Sequence, residues 1–309
     1  MPVLFFKPLF MKRIWGDQYF KNELKYDLDF EPYGEMWSLS SVKGNETIIE
    51  NGEYQGMTLS DIFLSHNELF HFKEKEFPLL IKLIHTKDLL SVQVHPDDDY
   101  ALKNENQLGK TECWYFLDSS KDSFIYYGHH SKNKDELKKA IEECKCEQLL
   151  NKYNIKKDDF AYIPSRTIHA LGKDLLLLEI QQSSDVTYRL YDYNRLGLDG
   201  KPRQLHISKA LDVIDFNDDK QQIINFQNKY GSIVTSGFFD IEKVLIKGEE
   251  RISLKDNVFH IISVIKGSIN LQNHQLKLGE SCLTTCDMNE IVVNGNAELL
   301  ITTPKKKEH

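Results

Sequence analysis

The chain has 309 residues, of which 40% are hydrophobic and 28% are charged, and its net charge is −8 without any basic block that suggests nucleic acid as a partner. This length allows one large domain or two medium ones with sizeable cores, and the composition is ordinary for a globular protein. No apolar run reaches the roughly 18 residues of a transmembrane helix, so no membrane association is expected.

The N-terminal segment MPVLFFKPLFMKRIWGD is apolar and basic. It has no small-residue cleavage site and charges interrupt it, so we expect no signal peptide. We therefore expect a cytoplasmic protein, which we predict to be a monomer or a weak homo-oligomer. At the other end of the chain, PKKKEH is interpreted as a short solvated tail.

Short runs rich in branched and aromatic residues dominate the chain up to about residue 182, and Gly, Pro, Asn and Asp separate them. Several strands at this spacing predict a sandwich or barrel rather than alternating βαβ units. No phosphate-binding GxGxxG or Walker sequence occurs. The runs are FPLLIKLIHT (77–86), LLSVQVHP (89–96), ECWYFLD (112–118), SFIYYG (123–128), DFAYIPS (159–165) and LLLLEIQQ (175–182).

Three segments have the apolar spacing of helices and are interpreted as packing elements. Thr58 is a plausible cap for a short helix through TLSDIFLSH. Asn133 followed by Glu136 resembles a capping box before ELKKAIEECKCEQLL. The third segment is HISKALDVIDF (206–216).

The number of cysteines is odd, and no pair has the spacing of a zinc ribbon, so we expect reduced thiols in a cytosolic protein. A metal site at Cys144 and Cys146 is an alternative. It is disfavoured because the two residues lie in the predicted second helix without a partner pair. The five cysteines are Cys113, Cys144, Cys146, Cys282 and Cys286.

After about residue 217 the chain passes through the polar link NDDKQQ into a new series of strand-like runs, each bounded by a turn, of which the last two are EIVVNG (290–295) and AELLITTP (297–304). A hairpin glycine in IKGSI (265–269) and a strand entry at LGES (278–281) are typical of a small jelly roll. We therefore predict a second β domain over 221–309, after a catalytic domain over 1–220. His260 and His274 have no carboxylate in matching register, so this second domain is expected to be free of metal.

Gln93 and His95 are the first candidates for a metal site. Residues two apart in a strand share a face, so both side chains point together, and Pro96 ends the strand. A lone histidine at a strand end is usually structural, so the interpretation depends on companions. Glu112 and His169 are the two candidates. With them the set suits Zn²⁺ or non-haem iron, since both metals accept imidazole and carboxylate ligands.

Glu112 opens a predicted strand and shares a face with Trp114 and Phe116. A carboxylate on an aromatic face needs a partner, which a salt bridge or a metal would supply. His169 follows a turn that contains Pro164, at the start of another strand region, as expected at a barrel rim. The aspartates at 97–99 are interpreted as a turn and a helix start.

Four motifs occur in the order found in the zinc-dependent mannose-6-phosphate isomerases of the cupin superfamily, and the chain resembles their short bacterial form. The resemblance covers nearly the whole chain and implies a mainly β protein with two cupin (jelly-roll) domains and a few added helices. RIWGD near the start and YGEMWSLS at 33–40 also match. The four motifs are SVQVHPDD, GKTECWYFL, IPSRTIHALG and LLEIQQSSDVTYRLYDYNR.

By this resemblance, four residues take the places of the ligands of one zinc ion per chain. Arg189 takes the place of the active-site arginine. Ser91 and Lys110 match residues of the sugar-phosphate pocket, and Glu179 and Asp185 match acidic residues there. The implied zinc ligands are Gln93, His95, Glu112 and His169.

The implied reaction interconverts mannose 6-phosphate and fructose 6-phosphate, which requires proton transfer between neighbouring carbons and passes through an enediolate. A metal or a fixed cation stabilises the negative charge that develops. Arg189 suits either the enediolate or the phosphate, and Lys110 suits a point charge or a proton shuttle. Glu179 and Asp185 are alternative proton carriers, and the identity of the base stays open.

Two features depart from the family's pattern. The early motif reads Trp15-Gly16-Asp17 where a second glycine is common, and the helical insertion of longer members is missing, so contacts made by that insertion are not carried over.

Other interpretations of the same residues remain. Arg189 and Arg195 would pair with Asp192 on a surface, Lys110 would be a solvated loop residue, and Glu179 would be a charge at a strand end. An iron-dependent cupin oxygenase and a non-catalytic cupin that binds sugar phosphates are the alternative functions.

Overall fold

The computed structural model of the protein describes residues 3–217 and 221–306. Part of the predicted polar link (218–220) and the end of the predicted tail (307–309) lie outside the described residues. The prediction of a mainly β protein is confirmed. None of the described helices has the length and hydropathy needed to cross a membrane.

The strands up to residue 225 are β1 (Val3–Lys7), β2 (Leu9–Asp17), β3 (Tyr33–Leu39), β4 (Ser41–Val42), β5 (Asn45–Glu46), β6 (Ile48–Ile49), β7 (Leu79–Thr86), β8 (Val92–Val94), β9 (Glu112–Ser119), β10 (Phe124–His129), β11 (Leu150–Asn154), β12 (Asp159–Ile163), β13 (His169–Leu171), β14 (Leu175–Gln182), β15 (Tyr188–Tyr191) and β16 (Ile223–Asn225). The later strands are β17 (Gly231–Thr235), β18 (Phe239–Ser253), β19 (His260–Leu271), β20 (His274–Lys277), β21 (Ser281–Thr284) and β22 (Glu290–Pro304). The helices are α1 (Tyr19–Asn22), α2 (Leu59–Ser65), α3 (Asp98–Glu105), α4 (Lys134–Glu142) and α5 (Ile207–Val213), with 3₁₀ turns η1 (Gly52–Tyr54), η2 (Asn67–Leu69) and η3 (Cys146–Leu149).

The predicted strands before residue 182 are confirmed as β7 to β10, β12 and β14, each of which lies within its predicted run or one residue beyond it. The predicted helix starts are confirmed as well. The Thr58 side chain accepts a hydrogen bond from the Asp61 amide at 3.0 Å, and the Asn133 side chain accepts one from the Glu136 amide at 2.9 Å. These caps satisfy amide groups that the first turn of a helix leaves unpaired.

Helix α4 ends earlier than predicted. It stops at Glu142, and Cys144 has a φ of +55°, in the left-handed region that an α-helix does not enter. A 3₁₀ turn, η3, then contains Cys146. All five cysteines are free thiols.

The C-terminal strands are longer than the predicted runs. Gly267 lies inside β19, just after an irregularity of the pairing with β22 between Val264 and Lys266, rather than in a hairpin turn. The turn between β19 and β20 is made by Gln272 and Asn273 at positive φ. A Cβ on Gly267 would lie 2.0 Å from the Asn296 carbonyl oxygen, so this glycine permits close approach of β22. The predicted turn at Gly295 is likewise absent, because β22 continues through it.

Contacts divide the chain into two compact units. The first unit consists of the residues up to Phe10, Met36–Leu83 and the residues from Phe226 onward. The second consists of Met11–Glu35 and Ile84–Asn225. The predicted domain boundary at residue 220 falls at the edge of the part that the structure leaves undescribed, and it stays a prediction.

An antiparallel sheet organises the first unit, in the order β17-β18-β22-β19-β21-β1-β6, with β20 paired to β19. Strands β18 and β22 pair along their whole length, from Phe239 opposite Pro304 to Ser253 opposite Glu290. One face buries an aliphatic core that includes Ile246, Ile262 and Leu299. This is the jelly-roll pattern in which alternate residues of each strand face the interior.

Two further sheets, in the orders β11-β10-β13-β8-β15 and β16-β12-β9-β14-β7-β3-β2, contain the strands of the second unit. Residues of β3 and β7 are divided between the two units. A core that includes Trp114 and Phe116 of β9 and Tyr127 of β10 contains residues of both sheets. On the other face of the five-stranded sheet, Val92 and Val94 pack with residues of α4 and α5. Residues that alternate with Val92 and Val94, such as Gln93, therefore face the seven-stranded sheet.

The cap of α4 allows a test of this local structure. Replacing Asn133 with Ala should lower the free energy of unfolding by about 1 kcal/mol, because the Glu136 amide loses its acceptor. Asn133→Asp keeps an acceptor at the same position and serves as the matched control. Urea unfolding monitored by circular dichroism measures the difference, and equal midpoints for the two variants would contradict the assigned cap.

Candidate metal centre and active site

Two neighbouring strands of the five-stranded sheet bring three of the predicted ligands together. Gln93 in β8 is directly opposite His169 at the start of β13, and their side-chain nitrogens, Nε2 of each, are 3.3 Å apart. His95 follows β8 immediately, and the centroids of the His95 and His169 rings are 4.7 Å apart. Because Gln93 and His95 are two residues apart, both side chains lie on the face predicted for them.

Backbone carbonyls set the orientation of both imidazoles. Nδ1 of His95 is 2.9 Å from the Val186 carbonyl oxygen, and Nδ1 of His169 is 2.9 Å from the Thr167 carbonyl oxygen. A carbonyl can only accept a hydrogen bond, so each ring carries its proton on Nδ1 and presents an unprotonated Nε2. The two Nε2 atoms are 3.1 Å apart, which places two lone pairs against each other.

Glu112 adds a carboxylate to these two lone pairs. It opens β9, as predicted, and is fully buried. One carboxylate oxygen is 3.4 Å from Nε2 of His95 and the other is 3.4 Å from Nε2 of His169. That second oxygen, Oε1, is buried and has no hydrogen-bond partner among residues 3–217 and 221–306.

Lys110 supplies positive charge at the same point. Its side chain is buried, and Nζ contacts Glu112 Oε2 closely and lies 3.1 Å from His95 Nε2. Burial and the Lys110 ammonium lower the pKa of His95 to about 3. Burial opposes the ionisation of Glu112, but Lys110 and the two histidines outweigh it, so the pKa of this carboxyl lies well below its ordinary value. The centre therefore combines a charged carboxylate with neutral imidazoles.

The donor atoms fit a metal ion. His95, Glu112 and His169 each offer one ligand atom, and these atoms all lie within 4.8 Å of one another. Buried lone pairs that face each other, together with the unpartnered Oε1 of Glu112, are stabilised by a cation placed among them. The side-chain nitrogen of Gln93 contacts His169. The Gln93 oxygen can bind a metal ion only in the opposite orientation of the amide.

Arg189 lies next to this cluster of predicted ligands. It is opposite Gln93 in the pairing of β15 with β8. Its Nε donates to the Ser91 hydroxyl at 3.2 Å, and Nη1 donates to the Gln204 carbonyl at 2.9 Å. Ser91 and Arg189, which were predicted separately as site residues, are therefore brought together beside Gln93.

Asp192 does not pair with Arg189, contrary to the surface ion pair considered as an alternative. The Asp192 carboxylate instead accepts hydrogen bonds from Nε of Arg195 at 3.0 Å and from Nε of Arg203 at 2.7 Å. Burial and the charge of Arg203 lower the pKa of Arg189. Arg189 thus lies in positive surroundings that favour an anionic ligand.

Glu179 is buried on the same face as Glu112. In the pairing of β14 with β9, Glu179 lies opposite Trp114 and Gln181 lies opposite Glu112. Trp114 Nε1 donates to Glu179 Oε2 at 3.0 Å, and the Trp114 ring packs edge-on against His169 at 5.4 Å between centroids. Asp185, by contrast, is exposed.

The sequence analysis missed an ion pair that belongs to these surroundings. Arg13 binds Glu35 through two hydrogen bonds, Nε to Oε1 at 3.0 Å and Nη2 to Oε2 at 2.9 Å. Burial lowers the pKa of Arg13, but Glu35, Asp185 and Glu179 together raise it above its ordinary value. Both residues lie in motifs that match the family, RIWGD and YGEMW, which was the available signal. No signal in the sequence marks the carbonyls of Val186 and Thr167.

Known proteins resemble this chain over most of its length. The family profile for the catalytic domain of type I phosphomannose isomerase matches residues 4–148, and the profile for the cupin domain of mannose-6-phosphate isomerase matches residues 230–304. The chain is 37% identical over 310 residues to the mannose-6-phosphate isomerase ManA of Bacillus subtilis, covering 97% of this chain and 98% of that protein. It is 36% identical to the mannose-6-phosphate isomerase of Streptococcus mutans, covering 95% and 97%.

Solved structures extend the agreement to the fold. The crystal structure of mannose 6-phosphate isomerase from Bacillus subtilis superposes with a TM-score of 0.86 at 35% identity, covering 98% of this chain and 99% of that one. The resemblance expected from the four motifs is confirmed. The chain therefore belongs to the type I phosphomannose isomerase family.

Proposed function

We propose that the protein is a zinc-dependent isomerase that interconverts mannose 6-phosphate and fructose 6-phosphate through an enediolate intermediate. Membership of the family and the names of the Bacillus subtilis and Streptococcus mutans relatives support the substrates. The observation that carries the metal is the buried carboxylate oxygen of Glu112, which has no partner among the described residues and faces the unprotonated Nε2 of His169 at 3.4 Å.

In this proposal, one zinc ion per chain is held by two imidazole nitrogens and a carboxylate, with the Gln93 amide as a fourth ligand. Zinc binds nitrogen and oxygen ligands of this kind at about 2.0–2.2 Å. When bound, the ion supplies Lewis-acid stabilisation of negative charge on a sugar oxygen. The carbonyls of Val186 and Thr167 keep both rings in the tautomer that a metal requires. The ligands of the proposal are Gln93, His95, Glu112 and His169.

Arg189 is the proposed essential cation. Its bonds to the Ser91 hydroxyl and the Gln204 carbonyl fix the plane of the guanidinium and use two of its five N–H donors. The remaining donors suit two oxygens of a phosphate or an enediolate. Because these contacts exist before substrate binds, little reorganisation is needed when negative charge develops.

Lys110 and Glu179 are buried, and we propose that they transfer protons during the isomerisation. Lys110 holds its Nζ beside His95 and Glu112, and Trp114 orients the carboxylate of Glu179. Asp185 is proposed to act from the exposed rim of the site, where it interacts electrostatically with Arg13.

We also infer that the protein acts in the cytoplasm as a monomer or a weak homo-oligomer, as expected for a bacterial metabolic enzyme. The division into a catalytic domain over 1–220 and a metal-free jelly roll over 221–309 belongs to the same proposal. The cupin-domain profile over 230–304 supports its second part.

A coupled assay with mannose 6-phosphate on metal-analysed protein tests the proposal as a whole. Activity should be lost after treatment with a chelator and restored by Zn²⁺, because the three buried ligands need a cation. The measurement is the rate of fructose 6-phosphate formation per bound zinc. Absence of turnover with zinc restored would refute the function, and stoichiometric iron with oxygen consumption would favour an oxygenase.

Replacing His95 with Ala should lower zinc content and activity together, since the variant removes one ligand atom from the centre. We expect substoichiometric zinc by elemental analysis and at least a hundredfold loss of kcat/KM, the order of effect of removing electrostatic stabilisation. His130→Ala is the matched control, because His130 is exposed and bonds Asn151. Full zinc content in the His95 variant would remove it from the ligand set.

Replacing Arg189 with Ala should leave zinc content unchanged and lower kcat/KM by about a hundred- to a thousandfold. Arg189→Lys should recover part of the activity, because the charge returns without the two-pronged geometry. Arg251→Ala, which removes an exposed arginine paired with Glu290, is the control. Normal turnover of the Arg189→Ala variant would contradict its proposed role.

A further inference from the structure

The jelly-roll strands of the first unit contain a cavity of about 250 Å³. Its lining combines polar side chains from several strands, among them Asp240, Lys255, His260 and Thr303. This volume lies just below the range of about 300–1,000 Å³ in which drug-sized ligands bind. None of the lining residues is a member of the metal centre or of the sites proposed above.

Strand register places three of these residues in one polar row. Asp240 of β18 is directly opposite Thr303 of β22. Ile261 of β19 is opposite Thr302, so the next pair in this antiparallel register is His260 opposite Thr303. Residues that face each other across antiparallel strands project from the same side of the sheet. Asp240, Thr303 and His260 therefore share one face.

That face is the interior of the jelly roll. Ile262 and Ile301 alternate in phase with His260 and Thr303, and both belong to the aliphatic core. The polar row therefore lies where this face meets solvent, since Glu242, two residues from Asp240 in β18, is exposed. Mouths of β-barrels with a few convergent polar groups beside an apolar wall are common ligand sites.

His260 carries an unpaired donor. Its Nε2 accepts the Lys255 amide at 3.2 Å, so the neutral ring holds its proton on Nδ1. His260 is only 1% exposed, and Nδ1 is buried with no hydrogen-bond partner within the described ranges. Burial and the charge of Lys255 lower the pKa of His260 to about 4, so the ring is neutral at pH 7.

Asp240 carries an unpaired acceptor. Its Oδ2 binds the ammonium groups of Lys255 and Lys305, each at 2.8 Å. Its other oxygen, Oδ1, is buried and has no partner in the part of the chain that the structure describes. A buried polar atom without a partner destabilises the folded state, so a native structure that keeps two such atoms on residues of one cavity calls for an explanation.

We propose that this cavity is a second binding site, for a small uncharged polyhydroxy compound of about the size of a monosaccharide. Hydroxyl groups of such a compound accept from Nδ1–H of His260 and donate to Oδ1 of Asp240, whereas an anion satisfies only the histidine and a cation only the carboxylate. The positive charges of Lys255 and Lys305 are balanced by Asp240 and by Glu242, which also lines the cavity. The site therefore carries no excess charge that would select an ion.

Histidine-detected NMR on the zinc-loaded full chain tests the site. The chain has 11 histidines, and the ring signals of His260 are those that disappear in His260→Gln. Titration with D-mannitol and with D-mannose should shift these signals saturably, with a Kd of about 1–5 mM for a ligand of some 12 heavy atoms. His95 and His169 report on the metal centre separately, so failure of the proposed isomerisation leaves this readout intact.

Three variants provide a second test of polyol binding. Asp240→Asn should weaken polyol binding about fivefold, because a charged acceptor becomes a neutral one. Thr303→Val should weaken binding too, and Glu290→Gln, which alters an exposed ion pair with Arg251, should leave it unchanged. No shift with either polyol, a shift with inorganic phosphate alone, or an equal Kd in Asp240→Asn would each overturn the proposal. If a variant fails to fold, the wild-type titration decides alone.

Discussion

The rest of the site depends on a buried cluster formed by the Glu112 carboxylate and the unprotonated Nε2 atoms of His95 and His169. Its carboxylate oxygens each lie 3.4 Å from an Nε2 atom, and the two Nε2 atoms are 3.1 Å apart. Glu112 Oε1 and Nε2 of His169 present lone pairs to each other, and such pairs repel in a medium of low dielectric. Positive charge must therefore be present, and Lys110 supplies part of it.

The sheets hold this arrangement in place because each ligand is anchored by strand register. In the pairing of β8 with its two neighbours, Gln93 is opposite both His169 and Arg189. Arg189, the cation proposed to bind substrate, therefore lies next to the proposed metal ligands. Glu112 begins a central strand of the facing sheet. Residues on strands are more precisely positioned than residues on free loops, which suits a site whose electrostatics must be organised in advance.

The cavity in the C-terminal jelly roll also has polar atoms without partners among the described residues, but they differ chemically from those of the candidate metal centre. The candidate metal centre brings several lone-pair donors close together. The row of Asp240, Thr303 and His260 instead offers one buried hydrogen-bond donor and one buried acceptor. Each arrangement implies its own complement: a cation in the first case and a hydroxyl group in the second. The shared architecture of two β units therefore does not imply a shared ligand.

Alternation and motif order by themselves determined much of this protein: six of the strands before residue 182, the caps at Thr58 and Asn133, the common face of Gln93 and His95, and the family. They erred at Gly267 and Gly295, because a glycine marks close approach of strands as readily as a turn. Only the tertiary structure decided which arginines pair with Asp192, namely Arg195 and Arg203 but not Arg189, and that carbonyls orient both imidazoles. These outcomes depend on partners far apart in the chain and on backbone atoms that every residue shares, so no local pattern of side chains encodes them.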